Sequence, residues 1–127
     1  MNERFVEAIA KLIELTQAGK LRWDAYPPDE TLKVYPDERL STVFETDYQG
    51  KKLRLYRRTF KPRDVAPMFD AIIGKKDWQS VVILEFLAEN GAVLWRFPTM
   101  PILDDLLSAV QYQAAGVDEF IDTLLKS

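Results

Sequence analysis

The sequence predicts a single α+β domain over residues 1–127, with an antiparallel sheet of four to five strands built from two β-hairpins. Two stretches that alternate apolar and polar residues, 42–60 and 81–97, each contain a glycine-bearing turn dipeptide. Segments with helical spacing of apolar residues precede, separate and follow these hairpins, so we expect an N-terminal helix, a short middle helix and two C-terminal helices. At 127 residues, the chain is long enough to bury a sizeable core.

The first helix is predicted to begin at Asn2, a favourable capping residue, and to end before Gly19. Its apolar stripe consists of Phe5, Ile9, Leu12, Ile13 and Thr16. We expect this face to pack on one side of the sheet.

Residues 21–40 contain three prolines and give the least regular pattern in the chain. LRW (21–23) and TLKVY (31–35) can each form a short strand. A stretch of about twenty residues without any element is unusual in a compact domain, so we expect one of these two segments to join a sheet edge. Trp23 and Tyr26 lie here. Aromatic residues on loops are a common binding device, so both are partner-binding candidates, and burial against the core is the alternative role.

The first hairpin is predicted to turn at Gln49-Gly50. Its register places residues opposite each other on one face as follows: Asp47 with Lys52, Glu45 with Arg54, and Val43 with Tyr56. The opposite face carries apolar residues, Phe44, Leu53 and Leu55 among them. We therefore expect one face in water and one face buried.

A basic stripe runs along the second strand of this hairpin and consists of Lys52, Arg54, Tyr56 and Arg58. These residues are the anion-binding candidates, for a phosphorylated ligand or an acidic partner. The alternative is that these residues have a structural role, and the pattern of charges favours it. Asp47 and Glu45 neutralise two of the cations, and positive charge discourages pairing between sheet edges.

A short middle helix is predicted from Asp64 to Gly74, with Pro67 in its first turn, where proline is tolerated. Its apolar stripe consists of Val65, Met68, Phe69, Ile72 and Ile73.

The second hairpin, 81–97, is predicted to turn at Asn90-Gly91 in a type I′ turn, which needs positive φ at both residues. The predicted pairs are Glu89 with Ala92, Ala88 with Val93, Leu87 with Leu94, Phe86 with Trp95, and Glu85 with Arg96. One face of this hairpin is then entirely apolar, and the other is mixed. We expect it to occupy the centre of the sheet, with both faces covered.

The two C-terminal helices are predicted over 102–115, closed by Gly116, and over 118–125. The apolar stripe of the first consists of Leu103, Leu106, Leu107, Val110 and Ala114, and that of the second consists of Phe120, Ile121, Leu124 and Leu125. Ala109 and Tyr112 fall on the back of the first. Either the terminal helix folds over them or they belong to a contact between subunits, so they are partner-binding candidates.

The composition argues against most catalytic chemistry. The chain contains no cysteine and no histidine, which removes thiolate nucleophiles, imidazole bases and most zinc ligands. The acidic clusters, Asp104-Asp105 and Asp118-Glu119, lie in predicted first helical turns, where the helix dipole favours carboxylates. We therefore predict no enzyme activity, no metal and no cofactor.

The net charge of −3 gives no reason to expect affinity for nucleic acid or anionic lipid. The N-terminal segment does not read as a signal peptide, and no apolar run reaches the length of a membrane span. Together with the absence of cysteine, these features favour the cytoplasm.

Three phrases resemble segments of small bacterial proteins that have no assigned activity: LIELTQAGKLRW (12–23), KKLRLYRR (51–58) and LDDLLSAVQYQAAGVDEFIDTLL (103–125). The length, the acidity and the order of elements are also similar to those of the type III secretion chaperones, which are small homodimeric proteins that bind effectors. The resemblance implies the order of elements but brings no catalytic motif.

These observations predict a non-enzymatic cytosolic module that binds another protein or its own copy as a homodimer, in an accessory, chaperone-like or immunity-type role. The first alternative is a binder of a phosphorylated or nucleic-acid ligand through the basic stripe. A weaker alternative is a carboxylate-dependent enzyme. The sequence does not identify the partner, the oligomeric state or the strand order.

Overall fold

The structure is a computed structural model that describes residues 2–62 and 78–127. Its elements are, in chain order, α1 (Asn2–Gln17), β1 (Asp24–Tyr26), a 3₁₀ turn (Glu30–Leu32), β2 (Arg39–Leu40), β3 (Val43–Tyr48), β4 (Lys51–Phe60), β5 (Gln79–Leu87), β6 (Val93–Arg96), α2 (Ile102–Ala114) and α3 (Val117–Leu125). The predicted α+β class is confirmed, with one N-terminal and two C-terminal helices. The middle helix predicted over 64–74 lies outside the described residues.

The sheet has six antiparallel strands in the described part of the chain, in the order β1-β3-β4-β5-β6, with β2 pairing beside β4. The two hairpins lie side by side, because β4 pairs with β5 along most of its length. The expectation that the second hairpin is central and covered on both faces was wrong, since β6 is an edge strand and all four of its residues are exposed. The region 21–40 supplies the two short strands β1 and β2. The region therefore contributes strands to the sheet as expected, but neither LRW (21–23) nor TLKVY (31–35), the two segments predicted for this role, is a strand.

The first hairpin has the predicted turn and register. Gln49 has φ of 52° and Gly50 has φ of 80°, so both central residues adopt the left-handed backbone that a two-residue hairpin turn requires. Asp47 lies opposite Lys52, and Glu45 lies opposite Arg54, as predicted. The short turn thus fixes the pairing of β3 with β4.

The turn of the second hairpin differs from the prediction. Gly91 has φ of 90°, but Asn90 is not among the described residues with positive φ. The Asn90 Oδ1 atom instead accepts a hydrogen bond from the Ala92 N–H at 3.0 Å. The Ala88 N–H donates to the Ala92 carbonyl at 2.8 Å, which closes a three-residue loop instead of a type I′ turn. The local side-chain bond of asparagine explains the difference.

The longer loop changes the register next to it. The pairs Glu85–Arg96 and Phe86–Trp95 form as predicted, but Leu87 lies opposite Val93. The predicted pairs Leu87–Leu94, Ala88–Val93 and Glu89–Ala92 were therefore wrong. Leu94 is the extra residue between the two observed pairs, so β6 carries a bulge beside the sheet edge.

The main core lies between one face of the sheet and the helices α1 and α2. Its fully buried members, with no measurable exposure, are Ile9, Leu55, Leu84, Leu103, Leu106, Leu107 and Val110. The predicted stripe of α1 faces this core, and Gly19 ends the helix with φ of 72°, as predicted. The Lys20 N–H donates to the Leu15 carbonyl at 2.9 Å, which completes the helix end.

The second face of the sheet is also covered. Val43, Tyr56 and Ile83 form a smaller buried cluster, against which Leu32, Leu40 and Val81 pack. The expectation of a wet face on the first hairpin was wrong, since Tyr56 is only 2% exposed. The 3₁₀ turn and β2, both from the region without a clear pattern, bring the covering side chains.

Candidate functional site

The basic stripe on β4 is neutralised within the fold, and its two arginines, Arg54 and Arg58, pair with carboxylates from outside the first hairpin. Arg54 binds the Glu85 Oε1 atom through Nε at 2.8 Å and through Nη2 at 2.6 Å. Arg96 binds the Glu85 Oε2 atom at 3.0 and 3.1 Å. Glu85 is only 1% exposed, so this buried carboxylate is saturated by two guanidinium groups.

Arg58 forms the second buried ion pair of the stripe. Its Nε and Nη2 atoms each lie 2.7 Å from one oxygen of the Glu38 carboxylate, and the Val34 N–H donates to the same carboxylate at 3.0 Å. These hydrogen bonds, that from Arg58 above all, lower the pKa of Glu38 to about 2. The same hydrogen bond raises the pKa of Arg58. Glu38 was not singled out in the sequence, because nothing local links it to β4.

The remaining members of the stripe are also engaged. Lys52 pairs with Glu45 at 3.4 Å, diagonally across the hairpin. Burial, followed by the charge of Glu85, raises the pKa of Tyr56. Since each cation of the stripe already has a carboxylate partner, little positive charge remains for a phosphate group. The geometry therefore offers no argument for the anion-binding alternative.

Trp23 lies in the core and not on the surface. Its side chain is buried, and its indole Nε1–H donates to the Thr16 Oγ1 atom at 3.0 Å. Its backbone N–H donates to the Gln113 Oε1 atom at 3.1 Å, and the Gln113 amide donates to the Leu21 carbonyl at 2.6 Å. Trp23 thus connects the end of α1 to α2. Its role as a partner-binding candidate was wrong, and the alternative role, burial against the core, is the one observed.

Tyr26 is 46% exposed on the edge strand β1. With Pro27, Pro28 and Arg54 it lines a shallow pocket of about 350 Å³. Tyr26 is accessible, but it does not line the same pocket as Tyr112, the other exposed partner-binding candidate.

Ala109 and Tyr112 lie together on the outer side of α2. They line a half-open groove of about 800 Å³, which also contains Ile13 from α1 and both Asp118 and Glu119 from α3. Tyr112 is 46% exposed, so α3 does not cover it.

A hydrogen bond joins α2 to α3 beside this groove. The Tyr112 hydroxyl donates to the Asp118 Oδ1 atom at 2.6 Å. This bond, together with the negative charges of Asp118, Asp122 and Glu119, raises the pKa of Tyr112.

The short connection between the helices depends on Gly116, which has φ of 68°. This left-handed conformation ends α2 and allows α3 to leave in a new direction. The Phe120 N–H then donates to the Gly116 carbonyl at 3.0 Å, which begins the next helix.

The outstanding feature of α3 is that none of its residues is buried. Its large apolar side chains are exposed as follows: Phe120 65%, Ile121 39%, Leu124 57% and Leu125 78%. The carboxylates Asp118 and Glu119 lie towards the groove, and the helical spacing places Phe120 and Leu124 on another side of the helix. The apolar face of α3 is therefore presented to solvent.

A second exposed apolar region lies on the edge strand β6. Trp95 is 42% exposed and packs against Phe5, Phe86 and Phe97, with ring centroids between 4.9 and 6.0 Å apart. This region differs from α3, because its aromatic rings already pack against one another.

The sequence placed Phe120, Ile121, Leu124 and Leu125 on one face of a helix, but it left open whether this face covers α2 or remains free. Helical spacing shows which residues share a face and not what lies opposite. The exposure of the whole helix is the information that only the structure provides.

The described residues, 2–62 and 78–127, contain no group of three or more His, Cys, Asp or Glu side chains that can hold a metal ion. Within the same ranges, no helix combines the length and the apolar composition needed to cross a bilayer. Comparison of the chain with protein-family models, with curated proteins and with solved structures gives no match.

Proposed function

We propose that the protein is a non-enzymatic protein-binding module and that the apolar face of α3 is its binding surface. The observation that carries this proposal is a nine-residue helix with no buried residue, whose large apolar side chains are between 39% and 78% exposed. These side chains present apolar surface on the order of 400 Å², the size of the largest patch on a typical soluble monomer, and such patches are often functional.

The spacing of these side chains suits recognition by another protein. Phe120 and Leu124 are four residues apart, and Ile121 and Leu125 repeat the same spacing on the adjacent line. Amphipathic helices that dock into apolar surfaces use anchors at these intervals. An accessory, chaperone-like or immunity-type role fits a small module with such a surface.

Affinity capture tests the proposal. The tagged chain is compared with the double variant Phe120→Ser/Leu124→Ser in an extract of the native host that also contains the untagged chain. Leu94→Ser is the matched control, because Leu94 is 60% exposed and Leu124 is 57% exposed. We expect the wild type and the control to retain a protein, foreign or the untagged chain, that the double variant loses.

Any protein identified in this way is then purified, and its dissociation constant is measured by calorimetry. We expect binding at least ten-fold weaker for the double variant and unchanged for Leu94→Ser. The proposal is wrong if all three baits retain the same proteins.

A further inference from the structure

The turn of the second hairpin places an asparagine side chain beside an unhindered backbone nitrogen. Asn90 and Gly91 are both exposed, and nothing lies within 4 Å of the position that a Cβ atom of Gly91 would occupy. An asparagine side chain and the backbone nitrogen of the next residue can close a five-membered ring, and glycine, which has no side chain, leaves that nitrogen open to approach. The loop therefore brings together an electrophilic carbon, Asn90 Cγ, and a nucleophilic nitrogen.

One hydrogen bond of the loop favours a reaction between these two groups. The Asn90 Oδ1 atom accepts a hydrogen bond from the Ala92 N–H at 3.0 Å. Because this bond reaches the residue two positions along the chain, the side chain folds back over the intervening Gly91 amide. The same oxygen takes up negative charge when a nucleophile adds to Cγ, and a backbone N–H that already points at it stabilises that charge.

Another hydrogen bond of the loop opposes the reaction. The Gly91 N–H donates to the Ala88 carbonyl at 2.9 Å, so the nitrogen has to leave this bond before it can lose its proton. The bond lies in an exposed loop beside an edge strand, where local opening costs much less free energy than unfolding of the whole chain. The opening of this one bond is therefore compatible with a folded hairpin.

We infer that Asn90 is a site of spontaneous deamidation in the folded protein. The Gly91 nitrogen gives its proton to hydroxide and attacks the Asn90 Cγ atom. A bond forms between this nitrogen and Cγ, the bond from Cγ to Nδ2 breaks, and Nδ2 takes a proton from water and leaves as ammonia, which regenerates the hydroxide. Water then opens the resulting succinimide at one of its two carbonyl groups and yields aspartate or isoaspartate. Water is the only co-reactant consumed, and no group is oxidised or reduced.

The two products affect the hairpin differently. Either product adds one negative charge to the chain, whose net charge is −3. Aspartate retains an oxygen that can accept the Ala92 N–H, so the loop keeps its shape. Isoaspartate carries the main chain through the former side chain and lengthens it by one methylene group, so the loop no longer fits the bonds that Ala88 makes with Gly91 and Ala92. We expect isoaspartate to loosen β6, an edge strand of the described sheet that is held by β5.

The chain contains two comparison sites. Asn2, the only other asparagine, is followed by Glu3, whose side chain hinders the approach to its backbone nitrogen. Gln49 precedes Gly50 in the other hairpin turn, but a glutamine side chain has to close a six-membered ring, which is slower. Each site therefore lacks one of the two features that the loop of the second hairpin combines.

Mass spectrometry of the purified full chain, incubated in mildly alkaline buffer in which it stays folded, tests the inference. A synthetic peptide of residues 87–93 in the same buffer gives the rate without the fold. We expect Asn90 to gain the mass difference between an amide and an acid at most ten-fold more slowly than this peptide, and at least ten-fold faster than Asn2 or Gln49. In Asn90→Gln the gain at this position should be at least ten-fold slower. A folded chain that keeps Asn90 intact while the reference peptide is converted overturns the inference.

Hydrogen exchange tests the consequence for the hairpin. Asn90→Asp is the matched control, because it adds the same charge with an ordinary backbone. The isoaspartate form of the wild type is separated from the aspartate form by chromatography. We expect the Ala88 amide, which donates to the Ala92 carbonyl, to exchange at least ten-fold faster in the isoaspartate form than in Asn90→Asp. Equal protection of Ala88 in the two proteins would contradict the loosening of β6.

Discussion

The two C-terminal helices, α2 and α3, follow each other directly and have the same kind of apolar stripe, yet they differ completely in burial. The side chains of Leu103, Leu106, Leu107 and Val110 in α2 are fully buried against the sheet and α1. In α3 no residue is buried. An amphipathic pattern therefore predicts that a helix needs an apolar partner. The core of the same chain buries α2, whereas none of the described elements buries a residue of α3.

This difference has an energetic consequence. Side chains of α2 contribute to the stability of the folded chain, because their transfer from water is complete on folding. The side chains of Phe120, Leu124 and Leu125 in α3 keep more than half of their surface in water and can gain this contribution only by association. Mutations in α2 are therefore expected to change the free energy of unfolding, and mutations in α3 are expected to change association.

The largest contrast is expected between Leu107→Ala in α2 and Leu124→Ala in α3. Leu107→Ala leaves a cavity in the core and should lower the free energy of unfolding by about 2–5 kcal/mol. Leu124→Ala should change it by less than about 0.5 kcal/mol, because the site is exposed. Urea unfolding of dilute protein measures both values, and a large loss of stability for Leu124→Ala would show that α3 packs on its own chain.

Low pH is expected to lower the free energy of unfolding, because it protonates Glu38. The pKa of Glu38 is lowered from 4.5 to about 2, so its ion pair with Arg58 stabilises the fold above pH 4.5 and this contribution is lost as the pH falls towards 2. A shift of this size corresponds to about 3 kcal/mol. Glu38→Gln should be less stable than the wild type at pH 7, and the difference should disappear near pH 2.

Unfolding measured across this pH range gives the comparison directly. Glu30→Gln is the matched control, because the Glu30 side chain, which pairs with Lys33, is 75% exposed and an ion pair of an exposed carboxylate contributes little. A Glu38→Gln variant whose stability falls in parallel with the wild type at low pH would contradict the assignment.

A smaller effect is expected at the glycine that separates the helices. Gly116→Ala forces a side chain into the left-handed conformation, which should cost about 1–2 kcal/mol. Gly19→Ala, at φ of 72° and with open space around the added carbon, is the matched control at the end of α1. We expect a similar loss of stability for both and altered association only for Gly116→Ala. Equal effects on association would show that the direction of α3 does not matter.

The smallest effect is expected at the hydrogen bond between the two helices. Asp118→Asn removes the carboxylate that raises the pKa of Tyr112, so the phenol should ionise nearer its ordinary pH. Spectrophotometric titration, with Tyr112→Phe to identify the signal, measures this change. Glu89→Gln is the control, because Glu89 is not among the carboxylates that raise the pKa of Tyr112. A titration curve unaffected by Asp118→Asn would show that the contact is absent in solution.

Local patterns predicted much of the fold. The turn at Gln49-Gly50 and the charge pairs around it gave the correct register of β3 with β4, because a two-residue turn leaves only one pairing. The position of the turn at Asn90-Gly91 was correct, but its type was wrong, since the asparagine side chain bonds to the backbone and the loop has three residues. The two residue types of the turn do not show whether the asparagine side chain will accept a backbone hydrogen bond.

Contacts between distant parts of the chain were not predictable. Arg54 was assigned to Glu45, which lies opposite it in the hairpin, but the strand order places Glu85 on its other side. Glu38 reaches Arg58 only because β2 folds beside β4. Both pairs depend on the strand order, and local spacing does not determine it.

The most direct test of the central claim is hydrogen exchange of α3. In dilute protein, the amides of 117–125 should exchange quickly while the core amides of α2 stay protected. When the chain is concentrated, or bound to a protein that depends on α3 for capture, exchange over 117–125 should slow at least ten-fold, and α2 should not change. Protection of α3 equal to that of α2 in the dilute monomer, or exchange of α3 unaffected by association, would contradict the claim.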